Sequence, residues 1–263
     1  MQIDEPHLEL RLAQTPAEIR AAQRLRYRVF VEELGGTGPL VDHDAGLEMD
    51  RFDPHFDHLI LLDHRRSEED RVVGVYRVMG ADGAKGAGQF YSEDEYDLSV
   101  LRGSDRTLLE LGRSCVHADY RGGTAMMHLW NGLAAYIADH GVEVMFGVAS
   151  FHGLDPAPLA GPLSLLHHRH LAPDDIRPVA RRTGAQAMDL IAPDALDRPA
   201  AIRAMPALIK AYLRLGGFVG QGAYIDRAFN CIDVCLVMDV ARMSETHRAI
   251  YQRPLVDGRP SNV

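Results

Sequence analysis

Apolar and polar positions change period several times along this chain, and each change marks an element. Leu8, Leu10 and Leu12 alternate with polar residues, the period of a half-buried strand within residues 1–14. Thr15-Pro16-Ala17-Glu18 then supplies a capping side chain, a proline at the first helical position and an acid three residues after the cap. The helix that starts there runs to about Leu34, stops at Gly35-Gly36, and carries Ile19, Ala22, Val29 and Phe30 as its apolar stripe. Residues 58–63 and 71–79 read as two strands joined by the charged turn 65–70, residues 80–88 (GADGAKGAG) as flexible loop, and 90–100 as a short helix. Residues 108–116 are a strand, and Ala125, Met126, Leu129, Leu133, Ala134 and Ile137 recur at helical spacing after it. Gly141 stops that helix before the continuous apolar strand 142–149. Strand, helix and strand with a right-handed crossover make a parallel pair at the centre of a sheet. The rest reads as an inserted excursion at 152–182, a strand at 186–192, a helix at 198–215 and a closing antiparallel pair at 218–226 and 231–240. The expectation is one α/β domain over 1–240, with a mixed central sheet and flanking helices, and a tail at 241–263.

Charge interrupts this pattern in three places. Stepping 100° per residue puts Arg26 in the middle of the first helix's apolar stripe, while Arg20, Arg24 and Arg28 fall outside it. A buried arginine is prohibitively costly without carboxylates to meet it, so a structural ion pair or a snorkelling side chain is the plain alternative to a functional one. In the strand 108–116, strict alternation sends Glu110 and Arg113 to opposite faces, and a bulge at Gly112 would bring them to the same side. The segment 37–57 lacks a period and is dense in acids, including Asp42, Glu48, Asp50 and Asp53, which describes a long ordered loop with Phe52 and Phe56 to anchor it.

Composition narrows the classes. Hydrophobic content of 46% and charged content of 25% are those of an ordinary water-soluble globular chain. No apolar run approaches the ~20 residues of a membrane span, and the acidic start MQIDEPHLEL has no signal-peptide core, so the cytoplasm is the expected location. Three cysteines cannot make a disulfide framework, and all three read as buried, reduced apolar residues. A net charge of −9 argues against a nucleic-acid partner, and an acidic protein partner would need a local basic patch.

Between the strand 108–116 and its helix lies Asp119-Tyr120-Arg121-Gly122-Gly123-Thr124. A glycine pair opening a helix leaves backbone N–H groups free to bind phosphate. With the element order, this resembles the GCN5-related N-acetyltransferase fold, in which Arg121, Gly122, Gly123 and Thr124 would hold the phosphopantetheine of an acyl donor. Arg26-Tyr27-Arg28-Val29-Phe30, Glu48-Met49-Asp50-Arg51-Phe52-Asp53, Tyr76-Arg77 and Glu110-Leu111-Gly112-Arg113 resemble the acyl-homoserine-lactone synthase branch. The resemblance marks Glu110 and Arg113 as catalytic, and Arg26, Phe30, Asp50, Asp53 and Arg77 as substrate-binding. The chain departs from that branch where a tryptophan is expected after the first helix; Leu34-Gly35-Gly36 stands there, and the sole tryptophan is Trp130.

Leu163-Ser164-Leu165-Leu166-His167-His168-Arg169-His170-Leu171-Ala172-Pro173, with residues 208–216 and Asp233-Val234-Cys235, instead resembles the L-ornithine Nα-acyltransferases, over roughly residues 8–240. That likeness implies acyl transfer from a 3-hydroxyacyl carrier protein to the α-amine of ornithine, or of glutamine in close relatives, with no permanently bound cofactor and no metal. For that reaction Glu110 is the candidate base and a bulge N–H near Gly112 the candidate oxyanion donor, while Asp50 and Asp53 would hold Arg26 and help recognise the cationic substrate. Arg77 and Arg113 would neutralise those acids or bind the substrate carboxylate. Arg121, the cluster Arg177, Arg181 and Arg182, and the stripe Arg203, Lys210 and Arg214 are candidate docking charges for acidic acyl carrier protein, and the stripe also suits an anionic membrane surface. Alternatives from other classes are a lactone synthase and a non-catalytic binder of acyl carrier protein. His170 and Asp175 match a His-x-x-x-x-Asp acyltransferase signature, a cheap coincidence among 13 histidines; His167 and His170 read as structural rather than as metal ligands.

Overall fold

Leu59, Leu61, Ile60 and Leu62 are all buried although they point alternately to opposite faces of one strand, so helices must cover that sheet on both sides. The structure, a computed structural model, describes residues 7–243. Strands β1 (Leu8–Leu12), β2 (Asp57–Asp63) and β3 (Val72–Gly80) are antiparallel neighbours. Helix α1 (Pro16–Arg26), capped by Thr15 through its bond from the Glu18 N–H, lays Ala21, Ala22 and Leu25 against Ile60, Leu62 and Val75, and Val29 just beyond its end joins them. Helix α2 (Ala81–Ala87) leads to the two-residue strand β4 (Tyr96–Asp97), the short helix α3 (Ser99–Arg102) and strand β5 (Leu108–Val116). Helix α4 (Ala125–Asp139) covers the other face, with Leu129 and Leu133 in the cluster of Leu59, Leu61 and Val73. Burying each such leucine contributes about 1.5–3 kcal/mol, and that packing rather than intrinsic propensity holds the layers together.

Strand β6 (Val144–His152), helix α5 (Ala160–His170), the two-residue strands β7 (Val179–Ala180) and β8 (Ala185–Gln186), and helices α6 (Arg198–Ala204) and α7 (Ala207–Arg214) follow. Strands β9 (Phe218–Val219), β10 (Ala223–Asp226) and β11 (Cys231–Asp239) complete a nine-stranded sheet in the order β1-β2-β3-β5-β6-β11-β10-β8, with β9 on β11.

Two departures from regular pairing shape the centre. Strands β5 and β6 are parallel only from Leu108↔Val144 to Glu110↔Phe146; beyond that β6 stays with β11 and β5 with β3, so the sheet opens between them. Gly147 is required at the parting, because a Cβ there would lie 2.1 Å from the Leu111 carbonyl oxygen. Between β3 and β5 the register passes from Arg77↔Gly112 to Val75↔Cys115, which places one extra residue in β5. The expected bulge is present, and within it Arg113 takes a φ of 50°, a conformation that costs a non-glycine residue about 1–3 kcal/mol.

Several boundaries differ from expectation. Residues 80–88 are no flexible loop: Gly83 and Gly86 let α2 approach the turn at His55, whose carbonyl oxygen and ring would otherwise meet a Cβ at 2.4 and 2.9 Å. The first helix widens into a π-helix at Tyr27–Glu33, and Phe30 and Leu34 both reach the central cavity. The helix expected at 198–215 is broken after Ala204 because Pro206 cannot continue it. The strand expected at 186–192 reduces to Ala185–Gln186, and the helix expected at 90–100 to a 3-10 turn (Tyr91–Asp94), β4 and α3. The excursion at 152–182 contributes α5, whose Leu163, Leu165 and Leu166 are buried. From residue 244 onward the tail expected at 241–263 lies outside the described residues.

Candidate active site

Arg26 is completely buried, as its place in the apolar stripe requires. It meets Glu48 and, through Nη1 at 2.5 Å, Asp53. Arg77, also completely buried, contacts Asp53 at 2.6 Å and Asp50 at 2.8 Å. Arg113 contacts Asp50 at 3.5 Å and Glu48 at 3.2 Å. The six side chains therefore close a ring, Arg26–Glu48–Arg113–Asp50–Arg77–Asp53, in which every charge has an opposite on each side. Burial pushes the Glu48, Asp50 and Asp53 carboxyls up, but the flanking guanidiniums outweigh it and hold all three below the usual range. The ring corrects one assignment: Arg26 is held by Asp53 and Glu48, while Asp50 spans Arg77 and Arg113. Arg77 and Arg113 serve here as neutralising partners of the acids.

On the other side of Arg113 lies a cavity of about 430 Å3 in the opening between β5 and β6. Phe30, Glu110 and Arg113 line it; Arg26, Asp50, Asp53 and Arg77 stand behind Arg113 and do not. The guanidinium of Arg113 is stacked among rings, 4.4 Å from the Phe229 centroid, 4.8 Å from Tyr91 and 5.9 Å from Phe30. The bulge thus brings Glu110 and Arg113 to one space, as its extra residue was expected to do. Glu110 is buried and accepts hydrogen bonds from the Tyr91 and Ser92 N–H groups at 2.7 and 2.6 Å. Burial nevertheless raises its pKa to about 7, so near neutrality this carboxyl can both take and release a proton.

The turn after β5 has Gly122 in the left-handed region at φ 76° and leads directly into α4. Arg121 contacts Glu33 at 2.7 Å and donates from Nε to the Val116 carbonyl at 3.0 Å. With Gly123, Thr124, Arg65 and Arg66 it lines a separate polar hollow of about 390 Å3 that shares no lining residue with the central cavity. Arg177 is paired with Asp174 at 2.6 Å, and Arg181 donates to the Glu93 carbonyl. Asp175 pairs with Arg242 at 2.6 Å, so the His-x-x-x-x-Asp match is not a His170–Asp175 pair. All three cysteines are buried and unbridged.

Sequence reasoning left out Glu48 as a site residue although it stands in the quoted acidic motif. It also missed His58, whose Nε2 lies 3.2 Å from the Asp53 carbonyl and whose pKa is lowered to about 4 by burial. A third omission is Asp226, which lines the cavity with Asp233; Asp233 stood in the sequence only as part of a quoted motif, and Glu95, beside it, only among the acids of 90–100 expected to rim a site. They come from distant parts of the chain, and no spacing rule joins them.

The acetyltransferase (GNAT) domain model matches residues 25–131. The crystal structure of the AHL synthase LasI superposes with a TM-score of 0.51 at 15% identity, over 96% of this chain and 99% of that one, a likeness of fold. Fold and site together define an N-acyltransferase of the GCN5-related class. The chain is 61% identical over 253 residues to the L-ornithine N(alpha)-acyltransferase of Rhodobacter capsulatus, covering 95% of this chain and 96% of that protein. It is 44% identical to the Brucella abortus protein of the same name, over 93% and 88%. It belongs to the L-ornithine N(alpha)-acyltransferase family.

Proposed function

We propose that this protein moves a 3-hydroxyacyl chain from the phosphopantetheine thioester of acyl carrier protein to the α-amine of L-ornithine, giving lyso-ornithine lipid. Beside the family membership, the observation that carries the reading is Glu110: a buried carboxyl that titrates near neutrality, at the parting of β5 and β6, facing a cavity of about 430 Å3. Glu110 takes a proton from the α-ammonium, directly or through a water, and the freed amine attacks the thioester carbonyl. A C–N bond forms, a backbone N–H of the bulge near Gly112 stabilises the oxyanion, and the C–S bond breaks as the thiolate leaves and takes up the proton that the new C–N nitrogen gives up. Arg113 is held rigid by the ring behind it and the aromatic rings beside it, and forms the wall of the cavity beside Glu110.

The pantetheine arm enters beside the turn Arg121, Gly122, Gly123 and Thr124 and passes the end of β5 into the opening. For the acidic carrier protein, Arg203 and Arg214 suit docking, being exposed and without ion pairs among the described residues. The same stripe suits peripheral contact with an anionic membrane, where the product belongs; no helix among the described residues is long and apolar enough to cross one. The test supplies purified protein with 3-hydroxyacyl carrier protein and either ornithine, glutamine or S-adenosylmethionine, with products read by mass spectrometry. Acyl-ornithine as the main product supports the reading; turnover of S-adenosylmethionine alone, or of no acceptor, overturns it.

A further inference from the structure

The cavity that Glu110 lines is also lined by carboxyls that no cation among the described residues pairs with. Asp226 on β10 and Asp233 on β11 line it, and their carboxylate oxygens lie within 4.8 Å of each other and of the Cys231 sulfur. Glu95, only 5% exposed, does not line the cavity itself but stands against Asp233 behind it, and its Oε2 has no hydrogen-bond partner among the described residues. No arginine, lysine or histidine among the described residues forms an ion pair with any of the three. Arg113, the cation whose field reaches Glu95, is already matched by Glu48 and Asp50.

The acids also sit at a suitable remove from the reacting end. Glu110 is opposite Phe146 and Asp233 opposite Ser150, four residues along β6, roughly 13 Å between the backbone positions. The turn whose Tyr91 and Ser92 N–H groups hold Glu110 leads directly into Glu95, so one segment fixes both ends.

We infer that Glu95, Asp226 and Asp233 form the acceptor's side-chain subsite, binding the terminal ammonium of an α,ω-diamino acid while its α-amine meets Glu110. The inference rests on the acyltransferase reading and deepens it by assigning the choice of acceptor to these residues. An ammonium in the cavity meets Asp226 and Asp233 directly and supplies the missing positive charge, with Glu95 adding negative charge from behind Asp233. The amide of glutamine, of similar length, brings no charge and leaves the acids repelling one another, the kind of mismatch that supports strong discrimination. Burial, then the charges of Asp233 and Asp226, push Glu95 up in the free protein, and burial with Asp226 pushes Asp233 up, which a bound cation would reverse. A metal ion fits less well: burial pushes the Cys231 thiol up, and the neutral thiol donates to Asp233 Oδ1 at 3.3 Å.

Glu95→Gln and Asp233→Asn test the assignment with near-isosteric side chains, and Glu95→Gln, outside the sheet's central strands, guards against loss of folding in the other. With 3-hydroxyacyl carrier protein as donor, each variant should raise KM for ornithine with a smaller change in kcat. The ratio of kcat/KM for ornithine over glutamine should fall tenfold or more. Millimolar ornithine, unlike glutamine, should raise the wild-type melting temperature, and both variants should lose that rise. An unchanged ratio in variants that fold and turn over, or a wild type that prefers glutamine, overturns the subsite and leaves the acyltransferase reading standing. A wild type that acylates neither amino acid overturns the acyltransferase reading, and the melting shift then decides the subsite: present in wild type and lost in the variants upholds it, absent in wild type overturns it.

Discussion

Two groups of buried acids lie on either side of Arg113, and they behave oppositely. Glu48, Asp50 and Asp53 alternate with three arginines, each carboxyl is depressed, and the set closes on itself behind the cavity wall. Glu95, Asp226 and Asp233 have no ion pair with a cation among the described residues, and Glu95 and Asp233 are raised. The difference separates structure from recognition: charge that is fully matched inside the protein fixes a wall, and charge left unmatched at a cavity is available to a ligand. The ring's opposing charges offset its own desolvation, and its service to the site is to hold Arg113 in a strained backbone conformation beside Glu110.

The largest effect expected follows from breaking the ring. Arg26→Met leaves Glu48 and Asp53 buried with too little positive charge, which costs about 3–5 kcal/mol in urea unfolding; a variant as stable as wild type would show the ring to be dispensable. The pH dependence has a definite sign. Carboxyls depressed by folding stabilise the protein fully above their unfolded pKa, and that contribution is lost as pH falls from about 4 through the lower folded values. Arg26→Met should flatten this acid limb.

Next comes Glu110→Gln, expected to lower kcat/KM at least about 100-fold while leaving the fold intact. In wild type, kcat/KM should rise with pH up to about 7, where Glu110 loses its proton, and then level. A profile flat through that range would remove Glu110 from the base role. The smallest effect is on the unmatched side: Glu95→Gln should change stability by only about 1 kcal/mol, in the stabilising direction. Because folding raises the Glu95 pKa, wild-type stability should fall as pH climbs from the ordinary glutamate range toward the raised folded value, and Glu95→Gln should lessen that fall.

Much of the matched side was legible in the sequence, and little of the unmatched side was. A helical projection exposed Arg26 because an arginine amid apolar residues breaks a local period. The bulge in β5 was readable because Glu110 and Arg113 had to share a face if they shared a site. The pairing within the ring was not, since Glu48 and Asp50 are near neighbours and only the path of the loop decides which arginine each meets. Glycines misled at 80–88, where they serve close approach to His55 rather than flexibility. The meeting of Glu95 with Asp233 depends on how the turn after α2 folds over β11, a tertiary fact with no local signature.

The measurement closest to the central claim is lipid mass spectrometry of a bacterial host that lacks ornithine lipids and expresses either this chain or its Glu110→Gln variant. The account predicts a 3-hydroxyacyl-ornithine mass with the wild-type chain and near loss of that mass with the variant at equal protein level. A glutamine conjugate in its place, or equal amounts of the ornithine product from both, would contradict it.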